Sequence, residues 1–146
     1  MSWLLRFGYS TCSNVGVRSC YEPVFFSWKL KIIDNIIAEK SFAFAIRIVN
    51  LYKYLHTQKR EFIMAKQLLR CGTSIGANIA ESQNAQSTAD FLSKLNIAFK
   101  EATETKYWLR LLHSTEYLSN EQFDSIYSDI VEIEKILVAI VKSIKE

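Results

Sequence analysis

Two apolar repeats in the C-terminal half constrain this chain more than any other feature. Phe91, Leu95, Ala98, Ala102, Thr105, Leu109 and Leu112 recur at alternating spacings of four and three residues, and Phe123, Ile126, Ile130, Ile133, Leu137, Ile140 and Ile144 recur at three and four. Such spacing keeps every member on one face of an α-helix, so each run predicts a long helix with a core-facing heptad seam. Each run follows a capping-box pattern, Ser87-Thr88-Ala89-Asp90 and Ser119-Asn120-Glu121-Gln122. In these boxes a side-chain hydroxyl and an acid or amide three residues later satisfy backbone groups that a helix end leaves unpaired. Only a short connection of about seven residues separates the seams, so the two helices are expected to lie antiparallel.

Two further amphipathic segments precede them. Phe42, Ala45, Val49, Tyr52 and Leu55 mark one face between Glu39 and about His56, widened by Ala43, Ile46 and Ile48. After a polar break at residues 58–60, Phe62, Ala65, Leu69, Gly72, Gly76 and Ile79 mark a face running to about Glu81, with Ile63, Leu68, Cys71 and Ile75 beside it. Four amphipathic helices with short connections predict an all-α fold, an up-down antiparallel four-helix bundle. Composition agrees: 49% of the 146 residues are hydrophobic, enough for one core, while four Gly and one Pro are too few to punctuate a β-sandwich or barrel. The division expected is an atypical N-terminal extension over 1–33, disordered or arising from a misassigned start, and the bundle over 34–146. Residues 1–33 hold seven aromatics and no lasting period, and nothing in them has the form of a secretory signal. No run of apolar residues is long enough to span a bilayer, so no membrane partner is expected and the cytoplasm is the expected location.

Charge is unevenly placed. Residues 34–146 sum to zero, but 39–70 carry +5 and 71–146 carry −4. The basic residues of the first hairpin, Lys40, Arg47, Lys53, Lys59, Arg60, Lys66 and Arg70, with Tyr52 and Tyr54 among them, are the candidate nucleic-acid contacts, since cations neutralise phosphates and exposed rings stack on unpaired bases. The competing expectation is that they dock on acidic neighbours within the fold or assembly. Leu92, Ile97, Phe99, Tyr107, Trp108 and Leu111 fall outside the seam of the third helix, an apolar surplus that predicts contact between copies of the chain.

The run Ser74-Ile75-Gly76-Ala77-Asn78-Ile79-Ala80-Glu81 is the most unusual segment. Its small residues cost helix propensity, which implies close helix packing, and Asn78 next to core-facing Ile79 needs amide partners. Glu104, Thr105 or Ser74 could supply them, either as a register-fixing polar contact or as the wall of a small-ligand pocket. Ser74, Gly76, Asn78, Glu81 and Glu104 are therefore the candidate structural-motif residues. No catalytic set and no metal site are expected: Glu101 and Glu104 have helical spacing without the histidines a di-iron bundle needs, and Gly72 to Gly76 lacks the Lys-Ser/Thr of a phosphate loop. No cofactor is expected, and Cys71 reads as a small buried hydrophobe.

These residues, together with Asp90-Phe91-Leu92 and Leu95-Asn96-Ile97-Ala98-Phe99-Lys100-Glu101-Ala102, resemble the S-x-P-x-N-I-A-E-G…F-L…L-x-I-A-x-G-S pattern of the 23S rRNA intervening-sequence protein family, over about Ile36 to Lys145. Gly76 stands for the usual Pro, Ser82 for the usual Gly, and Glu101-Ala102 for the usual small pair. The resemblance implies a small cytoplasmic bacterial bundle. A related branch, the accessory variability protein of diversity-generating retroelements, implies a pentameric barrel that binds nucleic acid. The expected function is that of a non-enzymatic, homo-oligomeric scaffold, pentameric by the resemblance, with RNA or a ribonucleoprotein as partner. The alternative is a protein-interaction or small-ligand module without nucleic-acid contact.

Overall fold

The computed structural model describes the backbone of residues 22–145 and the side chains of residues 35–144. It contains four helices, α1 (Glu22–Thr57), α2 (Ile63–Ser82), α3 (Thr88–Ser114) and α4 (Asn120–Lys145), and no strand among the described residues. Helix α1 packs on α2 and α4, and α3 packs on the same two, while among the described residues the diagonal pairs make no close backbone approach. The result is an up-down bundle of square cross-section, with the α1–α2 and α3–α4 connections at one end. Helix α1 begins well upstream of its periodic stripe and runs unbroken across 33 and 34, with Pro23 in its first turn, where a missing N–H costs nothing. The character expected of the N-terminal extension concerns residues that lie, as far as 21, outside the described ones.

The two seams are the core. Leu95, Ala98, Ala102, Thr105, Leu109 and Leu112 of α3 are buried, as are Ile126, Ile130, Ile133, Leu137 and Ile140 of α4. The second capping box forms in full and the first in half, its Asp90 carboxylate accepting the Gln86 N–H at 3.2 Å in place of the Ser87 N–H. The Ser87 hydroxyl accepts from the Asp90 N–H at 3.1 Å, and the Ser119 hydroxyl and Gln122 side chain exchange bonds with each other's backbone N–H. Helix α3 ends with Glu116 in the left-handed region (φ 63°), which lets the N–H groups of Glu116 and Tyr117 reach back to the carbonyls of His113 and Leu112.

Helix α1 departs from the sequence expectation. Its buried residues are Ile37, Ser41, Phe44, Ile48 and Leu55, whereas Phe42 is 69% exposed and Ala45 and Val49 are half-buried. Apolar residues surround this helix so completely that two stripes compete, and close packing on α2 selects the one containing Ile48. A β-carbon at Gly72 would lie 2.8 Å from Ile48 Cγ1, so only Gly at that position admits the isoleucine. On α2 the expected face is rotated: Leu68, Cys71 and Ile75 are buried with Ala65, Gly72 and Ile79, while Phe62 and Ile63 are exposed.

The start of α2 is held by a group the sequence pattern did not single out. Arg60 takes a left-handed conformation (φ 51°) and turns the chain so that Glu61, just before the helix, lies buried. Its carboxylate accepts the backbone N–H groups of Ile63, Met64 and Ala65 at 3.1, 2.9 and 2.6 Å. Three orphan donors and the positive end of the helix dipole are thereby satisfied by one acid.

Candidate functional site

The polar cluster foreseen around Asn78 is built along α2 and at its seam with α3, but not as expected. The Asn78 amide donates to the Ser74 carbonyl one turn earlier in its own helix at 2.8 Å, and the Ser74 hydroxyl donates to the Arg70 carbonyl. Glu104 is engaged instead by Arg70 at 2.6 Å and by the Trp108 indole N–H at 3.2 Å. Thr105 turns its hydroxyl to the Glu101 carbonyl. Glu81 pairs with Lys94 across the same two helices at 2.5 Å, which raises the lysine's pKa through that hydrogen bond and charge. Asn78 thus makes no cross-bundle hydrogen bond among the described residues, because an amide on a half-buried flank finds the carbonyl four residues back before any neighbouring side chain. A β-carbon at Gly76 would lie an ordinary 3.5 Å from the Ser41 carbonyl oxygen.

At the middle of this seam sits Cys71. Burial pushes its thiol from 9.0 up to about 11, with the charges of Glu104 and Glu101 adding to the rise and a hydrogen bond with Thr105 and the charge of Arg70 opposing it. A thiol held so firmly protonated is a poor nucleophile. One Glu101 carboxylate oxygen is buried without a hydrogen-bond partner. Among the described residues no group of three or more His, Cys, Asp or Glu side chains is placed to hold a metal ion.

The seven basic candidates divide into two groups. Lys40 pairs with Glu132 at 3.0 Å, Arg47 with Asp129 and the Ser125 hydroxyl, and Arg70 with Glu104. Two of these pairs tie α1 to α4 and one ties α2 to α3. Lys53, Arg60 and Lys66 have no acidic partner among the described residues, and Lys59 lies 6.0 Å from the centre of the Tyr54 ring. These four gather at the α1–α2 end. Tyr52 and Tyr54 are half-buried against the core rather than presented to solvent. The rings that reach the surface there are His56 and Phe62, packed edge to face at 4.7 Å. Between α1 and α4 an open cleft of about 450 Å³ is lined by Arg47, Asn50, Leu51, Glu121, Gln122, Ser125 and Ile126.

Besides Phe62 and Ile63 at the α1–α2 end and Ile97 on the α2 side of α3, exposed apolar residues lie on two opposite sides of the square. Phe42 (69% exposed) and Ile46 (50%) form with half-buried Val49 a stripe on α1. Phe42 and Val49 each follow by one residue a side chain turned towards α2, Ser41 or Ile48, so the stripe borders the α1/α2 flank. Phe99 lies two turns before Lys106, which pairs with Glu134 of α4, and Val138 lies one turn after Glu134, so both border the α3/α4 flank. Of the six residues expected to be surplus on α3, Ile97, Phe99 and Tyr107 are exposed, whereas Leu92, Trp108 and Leu111 are half-buried. The α1 stripe escaped the sequence reading because Phe42 and Val49 were placed in the core.

These features define a small helical bundle whose polar seams are spent on packing and whose unspent surface lies on its flanks. The chain belongs to the 23S rRNA-intervening sequence protein family, whose model matches residues 33–139. Among solved structures, the chain is 59% identical to a protein of unknown function from the S23 ribosomal protein family of Bacteroides thetaiotaomicron VPI-5482, with a TM-score of 0.75 over 75% of this chain and 98% of that one. No curated protein matches the sequence. No helix among the described residues is long and apolar enough to cross a membrane.

Proposed function

We propose that this protein is a non-catalytic scaffold that works as an assembly of several copies of itself, five by the resemblance drawn from its motifs, in a cytoplasmic ribonucleoprotein setting. The observation that carries the reading is the α1 stripe: a phenylalanine and an isoleucine held half or more exposed on a rigid helix, beside a core that is already complete without them. Contiguous apolar surface of that kind is costly to leave in water and is used for contacts between chains. Native mass spectrometry of protein purified without nuclease tests it. A multiple of the 16.9 kDa chain mass is expected, and a monomer throughout the micromolar range would remove the assembly.

The cluster of Lys53, Lys59, Arg60 and Lys66 supports a second reading, direct contact with RNA through the α1–α2 end. Lys40, Arg47 and Arg70 contribute less to it, because their charges are already matched by Glu132, Asp129 and Glu104. Reversing Lys53, Lys59 and Arg60 to Glu should weaken RNA binding and flatten its salt dependence by about one unit of log-log slope for each phosphate that is no longer neutralised. An unchanged slope would show that RNA does not bind at this end. The pocket alternative at Asn78 draws little support from an amide already bonded within its own helix.

A further inference from the structure

We propose that copies of this chain dock head to tail, the α1/α2 flank of one seated on the α3/α4 flank of the next with the bundles parallel, in a register fixed by opposite charges at both ends. The inference rests on the assembly reading and specifies its interface. Because the two flanks lie on opposite sides of the square, a contact between them is heterologous: each copy offers one surface and receives the other, which propagates around a ring.

The axial positions carry the argument. With 1.5 Å of rise per residue, Phe42 lies fifteen residues from the end of α1 and Phe99 fifteen from the end of α3, so both stand about 22 Å from the end of the bundle that bears the α1–α2 and α3–α4 connections. Ile46 and Val131 share a level about 16 Å from it, and Lys53 and Asp124 a level about 6 Å from it. Asp124, Val131 and Val138 follow at seven-residue spacing and so run down one face of α4. Parallel docking therefore sets aromatic against aromatic, aliphatic against aliphatic and cation against anion.

Charge distinguishes this register from the reversed one. At the connection end the α1/α2 side carries Lys53, Lys59, Arg60 and Lys66, while the α3/α4 side carries Glu116 and Asp124 against the single cation Arg110; none of these seven is in an ion pair among the described residues. At the level of the aromatics the signs exchange, with exposed Glu39 one turn before Phe42 on α1 and exposed Lys135 one turn before Val138 on α4. Reversing one bundle would carry Lys53, Lys59 and Arg60 to the opposite end of the neighbour, away from Glu116 and Asp124. Opposed potentials of this kind select register and partner more than they add raw affinity.

The test uses the full chain and two sets of exposed substitutions, Lys53→Glu with Lys59→Glu and Arg60→Glu, and Glu116→Lys with Asp124→Lys, each checked by circular dichroism for an intact bundle. Sedimentation at low salt should show each set alone dissociating at least about tenfold more readily than the parent. Mixed together the two sets should re-associate, and a chain carrying all five substitutions should assemble again. A parent that assembles while both sets leave its dissociation constant unchanged would overturn the charge register and leave the assembly standing. A monomeric parent would overturn the assembly itself. If the basic-end set removes co-purified nucleic acid and leaves assembly intact, that end faces RNA and the head-to-tail register is overturned.

Discussion

A β-carbon added at Gly72 would lie 2.8 and 2.9 Å from the branch carbons of Ile48, a side chain with no exposure, whereas one at Gly76 would meet only the Ser41 backbone and hydroxyl at 3.5 to 3.7 Å. The two glycines look equivalent in a G-x-x-x-G pattern and differ in consequence. Gly72→Ala should destabilise the protein by about 1–3 kcal/mol through overpacking, while Gly76→Ala should be neutral or stabilise by up to about 1 kcal/mol through helix propensity; urea titration of the two variants measures the contrast. Beside Gly72, Cys71 ties stability to pH. Its thiol titrates near 9.0 when unfolded and near 11 when folded, so the native state holds a proton that the unfolded state releases within that window. The contribution is fully present below pH 9 and is lost as the pH rises to 11, by an amount on the order of 2 kcal/mol. Lys94, raised above 10.5 by Glu81, loses its own contribution only at the upper edge and does so in any variant that keeps the pair. Unfolding free energies measured from pH 8 to 11 should therefore fall more steeply in the parent than in Cys71→Ala, and parallel curves would contradict the buried thiol.

At the scale of the helix, what could be read in the sequence depended on how many faces each helix leaves polar. Helices α3 and α4 carry charged residues on their outer faces, so a single apolar seam stood out and all but its terminal residues are buried. Helix α1 has Phe42, Ala43, Phe44, Ala45 and Ile46 in succession, a run in which periodicity cannot distinguish core from surface. Only the partner surface decides, and Gly72 is the part of it that does. The Asn78 amide was legible as a group in need of a partner, but which of three partners it takes depends on rotamer and depth, and neither is encoded in spacing. Glu61 was missed for a related reason. Capping patterns are sought at Ser, Thr, Asp or Asn, and here a longer acid reaches the same N–H groups because Arg60 bends the chain beneath it. Glu61→Ala should expose three unpaired donors at the start of α2 and cost about 1–2 kcal/mol, with hydrogen exchange accelerated first at Ile63, Met64 and Ala65. Uniform acceleration along the bundle would show that the cap supports the whole fold and not this end of it.

For the whole molecule, Phe42 and Phe44 separate what makes the bundle from what joins bundles. The two phenylalanines lie two residues apart on one helix, 69% and 1% exposed. Phe44→Ala removes a fully buried ring and should cost about 3–5 kcal/mol at any protein concentration, because the cavity lies within one chain. Phe42→Glu removes surface that the isolated bundle does not use, so its effect should be confined to assembly. Where folding and association are linked, the midpoint of thermal unfolding rises with protein concentration, since association draws on the folded state alone. The parent should show that rise between micromolar and tenths-of-millimolar protein, and Phe42→Glu should show a midpoint independent of concentration that coincides with the parent's at high dilution. A parent whose midpoint is already independent of concentration would mean that the α1 stripe is not a contact between copies. A Phe42→Glu chain that melts far below the diluted parent would return Phe42 to the core where its spacing in the sequence first placed it.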